Sequence, residues 1–239
     1  MRDVIAELAP TGTLRVGINL ANTLLVSGRT PAGEPVGVAP DMGREVANRL
    51  GVPVAYVSFA TPGEVADAVA TNAWDIGLIA VEPVRAETIA FSPAYVEIEA
   101  TYMVPEASPL RVLADIDRPG TRIGVMARSA YDLWLTRNLK HATLVRGASH
   151  AEVQQRFGQG EFEALAGLRA WHLAEAKKRP GLRVLAGRFT AVQQAIGTRP
   201  ATTAGAAFLR DFVQEAKASG LVARGIAYHG VEGLLVPKD

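Results

Sequence analysis

Arg85 is the residue whose position most strongly suggests binding chemistry. It follows a short apolar run, Asp75 to Val81, and a turn at Pro83. Such a run is typical of a strand covered on both faces, and open α/β sheets bind ligands beyond the carboxyl ends of their strands. A guanidinium placed there can hold a carboxylate through two parallel hydrogen bonds. The alternative is a surface arginine that pairs with Glu82 or Glu87.

A second candidate is the start of a predicted helix at Ser129 and Ala130. The segment from Arg122 to Met126 predicts a strand, and Ser129 can cap a helix that runs on through Leu133 and Leu139. A hydroxyl, exposed backbone N–H groups and the positive end of the helix dipole together suit an anion. The alternative is an N-cap that only stabilises the helix.

Residues for other kinds of chemistry are missing or badly spaced. Walker, Gly-x-Ser-x-Gly and Gly-x-Gly-x-x-Gly motifs are absent, because Gly158-Gln159-Gly160 is not followed by a third glycine, so we expect no cofactor. The histidines form no i, i+4 pair and have no carboxylate at ligand spacing, so we expect solvated or helix-surface histidines and no metal site. These are His141, His150, His172 and His229.

The composition describes a globular chain of nearly balanced charge. Of 239 residues, 49% are hydrophobic, which is enough to bury a core in one or two domains. The 25 basic and 24 acidic residues leave a formal charge of +1, so a nucleic acid is not an expected partner. The absence of cysteine fits a reducing or an oxidising compartment equally well. No run of 18 apolar residues is present to span a bilayer.

The first part of the chain alternates strands and helices. Leu14 to Ile18 has the period-2 pattern of a strand, and apolar residues at helical spacing predict a helix from about Asp41 to Leu50. A second strand follows over Val52 to Tyr56. Thr61, with Pro62 and Glu64 behind it, forms a capping box that starts a further helix at Pro62.

The same pattern restarts after the turn at Arg118-Pro119-Gly120. A capping box opens at Ser149, the segment Glu161 to Lys178 is predicted to be helical, and Leu182 to Leu185 predicts a strand. The last long helix carries Phe208 and Phe212 and is expected to end at Gly220. The sequence therefore predicts an α/β protein throughout.

Five segments resemble the bacterial extracellular solute-binding proteins of family 3, which serve amino-acid-type ABC transporters. Their order and spacing match over almost the whole chain, and Arg85 with the Phe-Ser-Pro-x-Tyr segment behind it is the most specific element. The segments are Leu14 to Ile18, Gly37 to Met42, Trp74 to Leu78, Arg85 with Ala90 to Tyr95, and Phe208 to Gly220.

The resemblance implies a periplasmic-binding-protein type II fold, with two α/β lobes that close a cleft over a small molecule. Lobe 1 would be residues 1–101 and 190–239, and lobe 2 residues 102–189, joined by two extended crossings. The implied partners are a small carboxylate-bearing or amino-acid-like solute and an ABC transporter permease, and we expect a monomer.

The resemblance also implies which residues contact the solute. Arg85 would grip a carboxylate from one lobe, and the helix start at Ser129 and Ala130, with Tyr131 after it, would grip it from the other. Further polar groups would come from the first loop and from the second crossing. These are Asn19, Asn22 and Gln193, with Gln194 as the neighbouring alternative to Gln193.

Two positions depart from the family pattern. Amino-acid binders usually place a carboxylate for the ligand's ammonium where this chain has Leu168. The spacing from Asp75 to Arg85 is also shorter than usual, which places Glu82 where small hydroxyl residues often contact the ligand. Glu82 is therefore either a new polar contact or a solvated turn glutamate.

Three functions remain open from the sequence. The first is a solute-binding protein without chemistry. The second is an enzyme on the same fold, like cyclohexadienyl dehydratase, a lyase that consumes prephenate or arogenate and for which Glu82 would be the general acid. The third is a sensor module that acts through a protein partner. The resemblance implies the periplasm, but no export signal is visible near Met1, which leaves either a removed leader or a cytoplasmic protein.

Overall fold

The computed structural model describes residues 1–238, which divide into two compact units. Unit 1 consists of Met1–Glu97 together with the segment that begins at Gln193, and unit 2 is Ile98–Val192. The two boundaries fall inside the long strands Val96–Pro105 and Thr190–Thr198, so each crossing of the chain is an extended segment. The boundaries predicted from the sequence were 101/102 and 189/190.

Helices and strands alternate along both units. In chain order the helices are α1 (Arg2–Leu8), α2 (Val38–Leu50), α3 (Pro62–Asp67), α4 (Pro83–Ala86), α5 (Ala130–Asn138), α6 (His150–Gly158), α7 (Arg169–Lys178), α8 (Thr203–Ala218) and α9 (Leu221–His229). The strands are β1 (Leu14–Asn19), β2 (Gly28–Arg29), β3 (Pro35–Val36), β4 (Val54–Phe59), β5 (Ile76–Ala80), β6 (Ala90–Phe91), β7 (Val96–Pro105), β8 (Arg122–Met126), β9 (Thr143–Gly147), β10 (Ala164–Leu168), β11 (Leu182–Val184), β12 (Thr190–Thr198) and β13 (Leu234–Leu235).

The sheet of unit 1 has the strand order β4-β1-β5-β12, with β6 also beside β12. β1 is parallel to both neighbours, and Val16 pairs with Tyr56 on one side and Ile76 on the other. β12 returns antiparallel to β5 and β6. All five residues of β5 are buried. Below the sheet, a core cluster forms around Trp74, whose indole Nε1 donates to the carbonyl of Val65 at 2.9 Å.

The sheet of unit 2 has the order β7-β10-β8-β9, with β11 also beside β7. β8 is parallel to β9 and β10, whereas β7 is antiparallel to β10 and β11. Its core cluster is built from residues of this unit alone, with Phe157 stacked on Phe162 at a ring distance of 6.0 Å. The buried members are Met103, Val153, Phe157, Phe162 and Leu165.

Several local predictions are confirmed at their starting residues. β8 has the predicted bounds, the capping box at Thr61 and Glu64 opens α3, and Ser149 caps α6 through Glu152. The helix predicted from about Asp41 begins earlier, at Val38. Within the described part of the chain, no helix has both the length and the apolar composition needed to cross a bilayer.

One segment was predicted wrongly. The segment Glu161 to Lys178 is not one helix, because β10 occupies Ala164–Leu168 and α7 starts only at Arg169. β10 is buried at all five positions, so its sequence lacks the alternation of a half-exposed strand. Its alanines and leucines also favour a helix, which is why the strand was predicted as one. The predicted end of the last long helix at Gly220 is confirmed to within two residues, because α8 ends at Ala218. Gly220 takes a left-handed φ of 74° and joins α8 to α9, a helix that the sequence analysis did not predict.

The predicted environment of the histidines is also wrong. His172 is fully buried, the ring of His229 is nearly so, and burial lowers the pKa of His150. Only His141 is exposed among the four. Across residues 1–238 no group of three or more histidine and acidic side chains is placed to hold a metal ion.

Candidate functional site

Arg85 lies in α4, the single helical turn that follows β5 in unit 1. Its side chain is only 4% exposed, and its Nη1 donates to the carbonyl of Ala80 at 2.8 Å. That bond ties the guanidinium to the carboxyl end of the buried strand. The structure therefore places Arg85 inside unit 1 at the strand end, and not on an outer surface.

Glu82 stands directly beside Arg85. It is the N-cap of α4, and its carbonyl accepts hydrogen bonds from the backbone N–H groups of Arg85 and Ala86. Glu82 is 7% exposed, so the description of a solvated turn glutamate is wrong. The short turn therefore carries a buried glutamate and a buried arginine three positions apart.

The first loop of unit 1 holds the two asparagines. The Oδ1 of Asn19 accepts from the backbone N–H of Ala21 at 3.1 Å, so this oxygen shapes the loop. Asn22 is buried, and its carbonyl accepts from the N–H groups of Leu25 and Val26. Its Oδ1, however, has no hydrogen-bond partner among residues 1–238. A buried amide oxygen without a donor is unusual and suits a donor supplied from outside the chain.

Gln193 begins the part of β12 that belongs to unit 1. Its Nε2 donates to Oε2 of Glu97 at 3.0 Å, and its carbonyl accepts from the N–H of Val81. Sequence reasoning missed Glu97, which is far from Gln193 in sequence and carries no motif. Gln194 is buried, and its carbonyl accepts from the N–H of Tyr95.

The Phe-Ser-Pro-x-Tyr segment, Phe91 to Tyr95, is hydrogen-bonded to β12 next to Gln194. Ser92 accepts from the N–H of Ile196 and donates to the carbonyl of Pro93. Tyr95 is fully buried, and burial raises the pKa of its hydroxyl. The segment therefore fixes β6 against β12 and contributes mainly structure.

In unit 2, the start of α5 has the expected capping geometry. The Oγ of Ser129 accepts from the N–H of Asp132 at 3.1 Å, and both Ser129 and Ala130 are buried. The first N–H groups of a helix have no partner within it, so those of Ala130 and Tyr131 point out from the helix start. This arrangement can hold an anion.

The turn before α5 is held in an uncommon conformation. Arg128 has a φ of 59°, in the left-handed region that a residue with a side chain seldom adopts. The buried carboxylate of Asp132 holds this turn, because its Oδ2 accepts from the N–H of Arg128 at 2.7 Å and its Oδ1 accepts from Arg146. Strain of this kind persists where the surroundings fix a functional geometry.

Tyr131 points into unit 2. Its side chain is buried, and its hydroxyl lies 3.4 Å from Nδ1 of His150. Burial raises the pKa of this phenol, while the Ser129 hydroxyl partly opposes the shift. The structure thus brings Ser129, Ala130 and Tyr131 together, but the Tyr131 hydroxyl faces α6.

Solved structures share this fold at low sequence identity. A P235GK mutant of ArgBP from T. maritima has a TM-score of 0.78 at 22% identity, covering 96% of this chain and 100% of that one. The ancestral amino acid-binding protein AncCDT-1, a precursor of cyclohexadienyl dehydratase, has 0.78 at 20%, covering 94% and 97%. An amino acid ABC transporter substrate-binding protein from Streptococcus pneumoniae, bound to L-arginine, has 0.77 at 19%, covering 98% and 99%.

These likenesses confirm the predicted fold class, the two-lobed α/β fold of periplasmic binding proteins. No individual curated protein matches the sequence. A family model does, over residues 14–228, which is most of the chain. The chain therefore belongs to the bacterial extracellular solute-binding proteins, family 3.

Proposed function

We propose that the chain binds a small solute through a carboxylate group, without chemistry, and delivers it to an ABC transporter. The observation that carries the proposal is the buried guanidinium of Arg85, fixed at the end of β5 by Ala80. In surroundings that exclude water, a charge-assisted pair between guanidinium and carboxylate is strong, because the local dielectric is low. The planar fork of arginine also selects the shape of a carboxylate.

Two further groups support a polar solute. The unpartnered Oδ1 of Asn22 suits a solute that carries a hydrogen-bond donor as well as a carboxylate. The start of α5 offers N–H groups and the positive end of a nine-residue helix to an anion. The similar solved structures include an ancestral amino acid-binding protein and a protein bound to L-arginine, which supports a solute of amino-acid size. The family name supports a location outside the cytoplasm.

A thermal-shift screen over amino acids and small organic acids would identify the solute. A ligand present at 100 times its dissociation constant stabilises the folded state by about 2.7 kcal/mol. Compounds with a carboxylate should dominate the hits. Their amides or methyl esters, which lack the charge, should not stabilise the protein.

The solute found in this way then tests Arg85. Removing one member of a buried charge pair costs roughly 2 to 5 kcal/mol, so Arg85→Ala should weaken binding by about 30-fold or more. Arg85→Lys should restore binding only in part, because an ammonium lacks the planar fork. Arg210→Ala, an exposed arginine of α8, is the matched control and should bind as the parent does. Calorimetry that finds Arg85→Ala as tight as the parent would show that the site is wrong.

One observation favours an enzyme as the second candidate. Glu82 is a buried carboxylate next to Arg85, where a general acid would be needed, and AncCDT-1 is named as a precursor of cyclohexadienyl dehydratase. Incubation with prephenate and with arogenate separates the two functions. Consumption of either compound that is lost in Glu82→Gln would replace our proposal, whereas binding without turnover supports it.

A further inference from the structure

A groove on unit 1 lies between α2 and α9, formed by residues that the solute site does not use. It encloses about 380 Å³. Its floor is apolar and well covered, because Val38, Met42 and Val222 are buried. One wall is Tyr228, whose side chain is 84% exposed although it is a large aromatic residue. The groove thus presents an apolar surface that the chain itself leaves uncovered.

The acidic groups on the α2 side already have partners. Oδ1 of Asp41 lies 3.2 Å from Nη1 of Arg44, and Oδ2 of Asp41 lies 2.6 Å from Nε2 of His229. Glu45 is held by Arg49 at 3.4 Å and accepts from Nδ2 of Asn48 at 3.2 Å. Asp41 is thus paired with Arg44, whereas Glu45 shares Arg49 with Glu215, whose oxygens lie 2.8 and 3.0 Å from the guanidinium. Both carboxylates of the groove are therefore held by side chains of α2 and not by Arg224.

The basic group on the α9 side is different. Arg224 is exposed, lines the groove and donates from Nη1 to the carbonyl of Ser219 at 2.7 Å. It pairs with no carboxylate among residues 1–238. Arg224 therefore offers the groove a guanidinium that no carboxylate of the described residues occupies, next to an apolar floor.

The size of the groove favours a small molecule over a protein. Ligand pockets usually enclose about 300 to 1,000 Å³ and combine an apolar lining with a few polar groups. A stable protein partner usually covers about 800 Å² on each side, far more than the walls of this groove. We propose that the groove between α2 and α9 binds a small amphiphilic carboxylate, with its apolar chain over Met42 and Tyr228 and its carboxylate on Arg224.

Octanoate and 1-octanol, titrated separately below their aggregation limits, are suitable probes. Resonances of α2 and α9 in a ¹H–¹⁵N correlation spectrum report on this groove, while those around Arg85 report on the solute site, so the two events are read independently. Octanoate should saturate the groove resonances and bind more tightly than octanol. Arg224→Gln should weaken octanoate by about two- to fivefold, as expected for an exposed ion pair, and leave octanol unchanged.

Gly225 provides a blocking variant. It lines the groove, and a Cβ added there would meet no other atom within 4 Å, so a side chain projects into open space. Gly225→Leu should therefore fill the groove and abolish octanoate binding, and the helix should form at least as well, because leucine favours a helix more than glycine does. Gly158→Leu in α6, where a Cβ also meets nothing, is the matched control and should bind octanoate as the parent does.

Two results would overturn the proposal. One is a folded Gly225→Leu protein whose groove resonances respond to octanoate as those of the parent do. The other is octanoate that shifts no resonance of α2 or α9. Neither result bears on Arg85, because solute binding is followed at different resonances.

Discussion

Leu168 is expected to limit which solutes the chain can bind. It ends β10 and stands as the N-cap of α7, buried and without a polar group. The family resemblance places the carboxylate for an ammonium at this position. A buried ammonium without a partner is costly, so common α-amino acids should bind this chain weakly or not at all.

Leu168→Asp should create binding of α-amino acids that the parent lacks. Aspartate is a preferred N-cap residue, so hydrogen bonds from the first N–H groups of α7 should offset part of the cost of burying its charge. Leu168→Asn, which also caps a helix but has no charge, is the control and should not gain binding of α-amino acids. Calorimetry that finds submicromolar binding of a standard amino acid to the parent would contradict the argument.

His172 is expected to make the stability of unit 2 sensitive to acid. Its ring is fully buried against Gly167, and neither ring nitrogen makes a hydrogen bond of normal geometry within residues 1–238. Burial, aided by nearby His150, lowers the pKa of His172 to about 3, although the carbonyls of Leu165 and Thr101 partly oppose the shift. In the unfolded chain a histidine has a pKa of about 6.5.

Between those two pKa values the unfolded chain binds a proton at His172 that the folded chain does not. The free energy of unfolding should therefore fall as the pH drops from about 6.5 towards about 3, by up to about 1.4 kcal/mol for each pH unit. His172→Leu should flatten this slope in urea unfolding measured at several pH values. His141→Gln, at an exposed position, should keep the slope. An unchanged slope in His172→Leu would mean that other groups cause the acid sensitivity.

At the scale of the elements, a glycine sets how closely a strand and a ring can approach. Gly124 lies in β8, and a Cβ added there would stand 2.0 Å from Cε2 of Phe162, which belongs to the core cluster of unit 2. The ring of Phe162 cannot move aside, because Phe157 stacks on it and Cζ of Arg156 lies 5.8 Å from its centroid. A side chain at position 124 would clash with Phe162, so β8 can lie this close to the ring only with a glycine there.

Gly124→Ala should destabilise the protein by about 1 to 3 kcal/mol, the usual penalty for overpacking a core. Phe162→Leu in the same chain makes room and should recover part of the loss, so the two changes should not be additive. Gly158→Ala, where the added Cβ meets nothing, should have little effect. The measurement is the urea midpoint of each variant. A Gly124→Ala protein as stable as the parent would contradict the packing described here.

Elements with local signals could be predicted from the sequence, and those defined by tertiary burial could not. The Thr61 and Ser149 caps depend on residues three positions apart, so their helices were found at the right start. β10 has no alternation because both faces are covered, and its alanines and leucines also suit a helix. α9 was missed because Gly220 has the sequence signature of a helix end.

The same limit applies to the candidate site. The buried strand and the turn behind it were enough to single out Arg85, because that signal is local. Glu97 beside Gln193, and His150 beside Tyr131, are contacts between residues far apart in sequence. The sequence contains no pattern that joins them, so only the folded chain brings these pairs into view.

At the scale of the whole molecule, the two units differ in how the chain builds them. Unit 2 is one continuous segment with its own core cluster, whereas unit 1 needs both ends of the chain. A fragment of residues 98–192 should therefore fold alone and give dispersed amide resonances. A chain of residues 1–192 should show protected amides in unit 2 but not in β1 or β5. An unfolded fragment 98–192 would contradict this independence.

Because β12 is synthesised late, the sheet of unit 1 cannot be completed until most of the chain has been translated. β5 is made early, but its antiparallel partner, Gln194–Thr198, leaves the ribosome more than a hundred residues later. Translation at about 5 to 20 residues per second leaves this apolar strand edge bare for on the order of ten seconds. α8 comes later still, although Leu8 of α1 packs against its Gly205. During that interval we expect the unpaired edge of β5 to be prone to aggregation, which chaperones prevent.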